Sequence, residues 1–121
     1  MPFDKLLEHL VETIDGARGA VFLDRDGEVV QHYLAHKALG ELDLIGAYHG
    51  ITLSTCRKFS DEVEMGSIDF MLCQYKDATC LIKTLNAGYF VLLALSPHGN
   101  IGQAMYAMRE VAAELNLEMG L

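Results

Sequence analysis

Apolar positions recur along the chain with two distinct periods. Phe3, Leu6, Leu7, Leu10, Val11 and Ile14 follow the i, i+3, i+4, i+7 spacing of one helical face, and Asp15-Gly16 then supplies a stop signal. This predicts a first helix, α1, over 3–14. Residues 20–23 and 28–34 read as strands β1 and β2 joined by Asp24-Arg25-Asp26-Gly27, a turn whose glycine can take positive φ. A second helix, α2, is expected over about 39–59, followed by a loop over 60–66. Three strand-like runs come next: β3 over 67–75, β4 over 78–85 and β5 over 89–95. Lys76-Asp77 and Asn86-Ala87-Gly88 are short enough to make both connections hairpins. Ser96-Pro97-His98-Gly99 breaks the pattern, and Asn100 is a good N-cap for a last helix, α3. Its stripe is Ile101, Ala104, Met105, Met108, Val111, Ala112 and Leu115.

The element order is therefore α-β-β-α-β-β-β-α, an α+β arrangement. Residues 20–23 and 89–95 are apolar without alternation, which places β1 and β5 at the centre of a sheet covered on both faces. The more polar β2 is expected at an edge. Hairpin adjacency then gives a five-stranded antiparallel sheet in the order β2-β1-β5-β4-β3.

Length and composition narrow the function. A chain of 121 residues that is 51% hydrophobic suits one domain, 1–121. Seventeen acids against nine Lys and Arg leave a net charge of −8, which opposes the phosphate neutralisation that nucleic-acid binding requires. The longest apolar run, 89–95, is far below the ~18 residues of a spanning helix, so no membrane insertion is expected. The first ten residues lack the basic segment of a secretory signal, and a cytoplasmic location is expected. Cys56, Cys73 and Cys80 form no CxxC pair and suit free thiols. A two-residue turn at Lys76-Asp77 would set Cys73 opposite Cys80, in a hydrogen-bonded pair too wide for an easy disulfide.

Candidates for site chemistry are few. Asp24-x-Asp26-Gly27 has its glycine fourth where an EF-hand loop needs it sixth, and the twelfth residue is Ala35 in place of a carboxylate. His32 and His36 lack a third ligand at matching spacing. Phosphate-loop, dinucleotide, nucleophile-elbow and zinc-protease motifs are all missing, so no metal, cofactor or catalytic residue is expected.

The second helix is the most informative element. At 100° per residue, Tyr48, Ile51, Thr55 and Phe59 fall within about 60° of Leu44, and that stripe is expected to face the sheet. The opposite face then carries Asp43, Gly46, His49, Gly50, Leu53, Ser54 and Arg57. A helix-interior glycine costs about 0.8–1 kcal/mol relative to Ala, so the line of Gly46, Gly50 and Ser54 implies either a frayed or kinked helix or a close approach by a second helix, with Leu53 as an apolar contact. A second copy of the chain would provide that helix. A two-fold crossing at Gly50 would set Asp43 against Arg57 of the partner subunit, with charge complementarity following from the symmetry.

The chain resembles the roadblock family of dynein light chains, in particular its MglB-like bacterial and archaeal members. The resemblance runs from Phe3 to about Glu118. It is carried by Gly19-Ala20-Val21-Phe22-Leu23-Asp24-Arg25-Asp26-Gly27-Glu28-Val29-Val30, a small-apolar-Asp-x-x-Gly hairpin, and by β5 followed by Gly102 and amphipathic α3. It implies a roadblock/profilin-like sheet between one helix (α2) and two (α1 and α3). It also implies a homodimer that joins sheets along β3, with Ser67, Asp69, Met71 and Cys73 at the edge, while the α2 helices lie antiparallel. The implied role is a regulator or scaffold for a small Ras-like GTPase, with or without stimulation of GTP hydrolysis. No arginine finger is expected among Arg18, Arg25, Arg57 and Arg109. The alternative from another class is a small-ligand sensor with a pocket between sheet and helices.

Overall fold

The computed structural model describes residues 2–35 and 40–121. Its elements are α1 (Pro2–Thr13), β1 (Ala17–Leu23), β2 (Val29–Leu34), α2 (Leu42–Glu62), β3 (Phe70–Gln74), β4 (Thr79–Thr84), β5 (Phe90–Leu95) and α3 (Ile101–Glu118). The strands form one antiparallel sheet in the order β2-β1-β5-β4-β3, as their hydrophobic pattern and short connections predict. His36 and the expected α2 start at Leu39 lie outside the described residues.

Side-chain alternation sorts the two central strands between two layers. Ala20 and Phe22 of β1, with Val91, Leu93 and Leu95 of β5, pack against Leu7, Leu10 and Val11 of α1 and Ala104, Met108, Val111 and Leu115 of α3. Val21, Leu23, Phe90, Leu92 and Ala94 point the other way and meet Leu42 and Leu53 of α2. Since both faces of these strands are covered, every residue of β5 is buried, which is why its sequence shows no alternation.

Local chemistry fixes the turns. Asp24 Oδ1 accepts the backbone N–H groups of Asp26 (2.9 Å) and Glu28 (3.0 Å), and Gly27 takes φ +83°. The carboxylate that suggested a calcium loop is thus spent on an Asx turn. Asn100 accepts from the Gln103 N–H at 3.0 Å and caps α3. The expected β3 is shortened: Ser67 and Asp69 precede the strand, whose ladder opens at Phe70 opposite Lys83. Here the Thr84 hydroxyl donates to the Ile68 carbonyl at 2.6 Å and holds the approach segment at the end of β4.

The facing of α2 is the reverse of the expected one. Leu53 is fully buried and Gly46 is buried, while His49, Gly50 and Arg57 are half-buried on the sheet side. Asp43 and Ser54 are exposed at the flanks. Leu44, Tyr48, Ile51 and Phe59, expected against the sheet, point outward. The close approach that Gly46 and Gly50 permit is to the sheet of their own chain. A Cβ on Gly46 would stand 2.9 Å from Val21 Cγ1, and one on Gly50 2.9 Å from Phe90 Cζ. Large strand residues on this face, Phe90 and Leu92 among them, demand a thin helix face opposite them.

Candidate functional site

With its glycines turned inward, α2 presents outward the more apolar of its two faces. Leu44 is 50% exposed, Tyr48 63%, Ile51 64% and Phe59 58%, and Val63 and Met65 continue the apolar surface beyond the helix. Their spacing of four, three and eight residues keeps them on one line, with Thr52 and Thr55 between. Apolar side chains grouped in this way on a surface mark a place where another molecule excludes water.

The sheet-facing side of α2 is held by polar contacts that fix the helix in rotation. His49 Nδ1 lies 2.7 Å from the Ile45 carbonyl, which can only accept, so Nδ1 carries the proton. In the neutral ring Nε2 then accepts from the Tyr75 hydroxyl at 2.8 Å, and the two rings meet edge to face. This ties the helix to the β3–β4 hairpin. Asp43 accepts from His32 Nδ1 at 2.7 Å, tying its first turn to β2, and Arg57 Nη1 donates to the Gly88 carbonyl at 3.2 Å, tying its last turns to the β4–β5 connection. His49 thus acts within the chain, and Arg57 uses one N–H group there.

Beside this stripe runs the open edge of the sheet. Among the described residues β3 has β4 as its single neighbour, which leaves its outer backbone groups at an open sheet edge. Met71 and Cys73 of β3 are half-buried and pack on the α2 side, whereas Leu72 is exposed on the other. Asp69, expected at the edge, lies just before the strand and belongs to a surface network within its own chain. It accepts from Lys83 Nζ at 2.7 Å and pairs with Arg109 at 2.9 Å, and both cations lie over the Phe70 ring. The Lys83 hydrogen bond holds its carboxyl below the usual aspartate value.

The cysteine geometry follows the predicted register: Cys73 stands opposite Cys80, and both are free, as is Cys56. Burial, reinforced by Cys73, pushes the Cys80 thiol from 9.0 up to about 11. Because the folded value lies above the unfolded one, this thiol favours folding at pH below about 9, and that contribution disappears as pH rises through about 11. In the native protein at pH 8, a thiol reagent is expected to spare Cys80 and to modify it only in denaturant. Mass spectrometry of labelled peptides checks this; Cys80 reacting as fast as the half-buried Cys56 would contradict it.

A five-stranded antiparallel sheet in this order, with one helix on one face and two on the other, is the roadblock/LC7 fold. Among solved structures, a roadblock/LC7 domain from Streptomyces avermitilis superposes with a TM-score of 0.86 at 16% identity, over 98% of both chains. MglB from Myxococcus xanthus superposes with a TM-score of 0.86 at 7% identity, over 98% of this chain and 88% of that one. MglC from the same organism is 25% identical with a TM-score of 0.68, over 98% and 99% of the two chains. No family model matches the sequence, nor does any curated protein sequence. Sequence reasoning missed the exposure of Leu44, Tyr48, Ile51 and Phe59. The signal that identifies them is the pair of glycines opposite, which marks the face that lies against the sheet.

Proposed function

We propose that this protein is a homodimeric interaction module that binds a small Ras-like GTPase and regulates it or scaffolds it. One observation carries the reading: the solvent-facing apolar stripe of α2 beside the unpaired edge of β3. Laid antiparallel about a two-fold axis between Ile51 and Thr52, the stripe meets itself. Leu44 falls opposite Phe59 of the partner subunit, Tyr48 opposite the partner's Thr55 and Ile51 opposite the partner's Thr52. A self-complementary apolar row of this kind is what an isologous contact needs. This replaces the crossing at Gly50, which the sheet-facing glycine rules out. Likeness of fold to MglB supports the GTPase as partner.

The layers between sheet and helices favour this reading over a ligand sensor. Leu7, Leu93 and Leu115 fill one and Leu53, Ile82 and Leu92 the other, all fully buried. No helix among the described residues is long and apolar enough to cross a membrane.

The deciding experiment measures phosphate release from a small Ras-like GTPase with and without the protein, alongside binding. Acceleration is expected if the module activates, and binding at constant rate if it scaffolds. A GTPase that neither binds nor responds, tested with the GTPases of the same genome, removes the proposal.

A further inference from the structure

Two of the chain's four arginines converge at one end of the sheet, where the β1–β2 turn, the β4–β5 connection and the last turns of α2 come together. Arg57 donates to the Gly88 carbonyl at 3.2 Å. Arg25 lies across the same residue: a Cβ on Gly88 would collide with Arg25 Nε and stand 2.9 Å from its Cβ. Gly88, at φ +85°, therefore serves as the floor on which both side chains rest.

Neither guanidinium has an acidic partner among the described residues. Arg109, by contrast, pairs with the Asp69 carboxylate at 2.9 Å. In a chain of net charge −8, two adjacent cations with no ion-paired carboxylate among the described residues are conspicuous. Burial, and then the nearby Arg25, lower the Arg57 pKa, so the pair is held together against its own repulsion. An anion between them would offset that repulsion.

The cleft they line has a volume of about 220 Å³. This is below the roughly 300–1,000 Å³ of sites that enclose drug-sized ligands and suits a single anionic group. Ser60 and Thr84 also line it, but their hydroxyl protons go to the carbonyls of Arg57 (2.9 Å) and Ile68 (2.6 Å). Among the described residues Asp61 is the one acid on the wall, and it makes no ion pair with either arginine. Recognition therefore falls to the two guanidinium forks, whose paired N–H groups match tetrahedral phosphate oxygens.

We propose that the Arg25–Arg57 cleft is an oxyanion site that takes one phosphate group, either as the free ion or as a phosphomonoester. The site is independent of the GTPase reading, since the binding experiment needs no GTPase. Inorganic phosphate and adenosine monophosphate are titrated separately into the protein by calorimetry, against chloride at matched ionic strength, with NMR of the arginine side chains as the site readout. Saturable binding is expected, with shifts confined to Arg25 and Arg57. Arg25→Gln and Arg57→Gln should each weaken it tenfold or more, and Lys5→Gln on α1 should leave it unchanged. Arg25 is exposed, so its variant should fold even if the Arg57 variant is impaired, and thermal melting checks both. Phosphate binding without the monophosphate assigns the free ion, and binding of both assigns a monoester. No binding overturns the proposal. So does binding matched by chloride or indifferent to both arginine variants, the result for an adventitious ion only.

Discussion

Replacing Ile51 with Glu is expected to convert the protein from dimer to monomer at micromolar concentration while leaving the folded protomer intact. Ile51 is 64% exposed in the single chain, so the substitution removes little intramolecular packing, and Glu is at least as good a helix former as Ile. In the proposed dimer the same position lies next to the two-fold axis. Each copy loses the burial of one Ile, worth about 1.5–3 kcal/mol when complete. Symmetry adds a second carboxylate close to the first in a partly dehydrated contact. At about 1.4 kcal/mol per tenfold change, the dissociation constant should rise by a factor of about 100 or more. Light scattering across a concentration series measures the mass, and thermal melting at low concentration tests the protomer. Tyr106→Glu, at an exposed position on α3, should leave the mass unchanged. An Ile51→Glu protein with undiminished dimer mass would refute the α2 seam.

The same helix shows what could be read from the sequence and what could not. The sheet was legible because its signals are local. Residues 89–95 and 20–23 show by unbroken apolarity that they are covered on both sides, and Lys76-Asp77 leaves space only for a hairpin, which sets Cys73 opposite Cys80. Helices α1 and α3 were legible because each has a single apolar face and that face meets the sheet. Helix α2 has two faces able to bury. Periodicity gives the direction of the apolar stripe through Leu44, Tyr48, Ile51 and Phe59 and says nothing of what lies at its end. The answer depends on volume: Phe90, Leu92, Val21 and Leu23 project far enough from the sheet that only a face containing Gly46 and Gly50 fits above them. That information resides in strands distant in sequence, so a helix read alone assigns the larger residues to the core. The partners of Asp69 were illegible for a related reason, because Lys83 and Arg109, which hold it, come from β4 and α3.

Replacing Gly46 with Leu separates the two orientations of α2 most sharply. A glycine on an exposed dimer face would tolerate the change in the protomer, and helix propensity alone would then raise stability by about 0.8 kcal/mol. Association would be the property lost. In the structure, the first added carbon already stands 2.9 Å from Val21 Cγ1 and 3.1 Å from both Leu23 methyls, and three further carbons must follow it. Val21 and Leu23 are fully buried and pack among Leu42 and Leu92, so they have nowhere to retreat. Helix α2 must lift from the sheet. Overpacking of this kind costs about 1–3 kcal/mol and occasionally more. With Leu53 drawn partly out of its site as the helix rises, the upper end applies. A loss of about 3 kcal/mol corresponds to a melting temperature lower by roughly 10 °C in a domain of this size. The Gly46→Ala change adds only that first carbon, whose contact is offset in part by the propensity gain, and should lose about 0–2 kcal/mol, less than Gly46→Leu. Urea unfolding of the three proteins measures both differences. A Gly46→Leu protein as stable as the parent would mean that this glycine does not face the sheet. The seam through Ile51 would then lose the geometric basis on which the dimer is proposed.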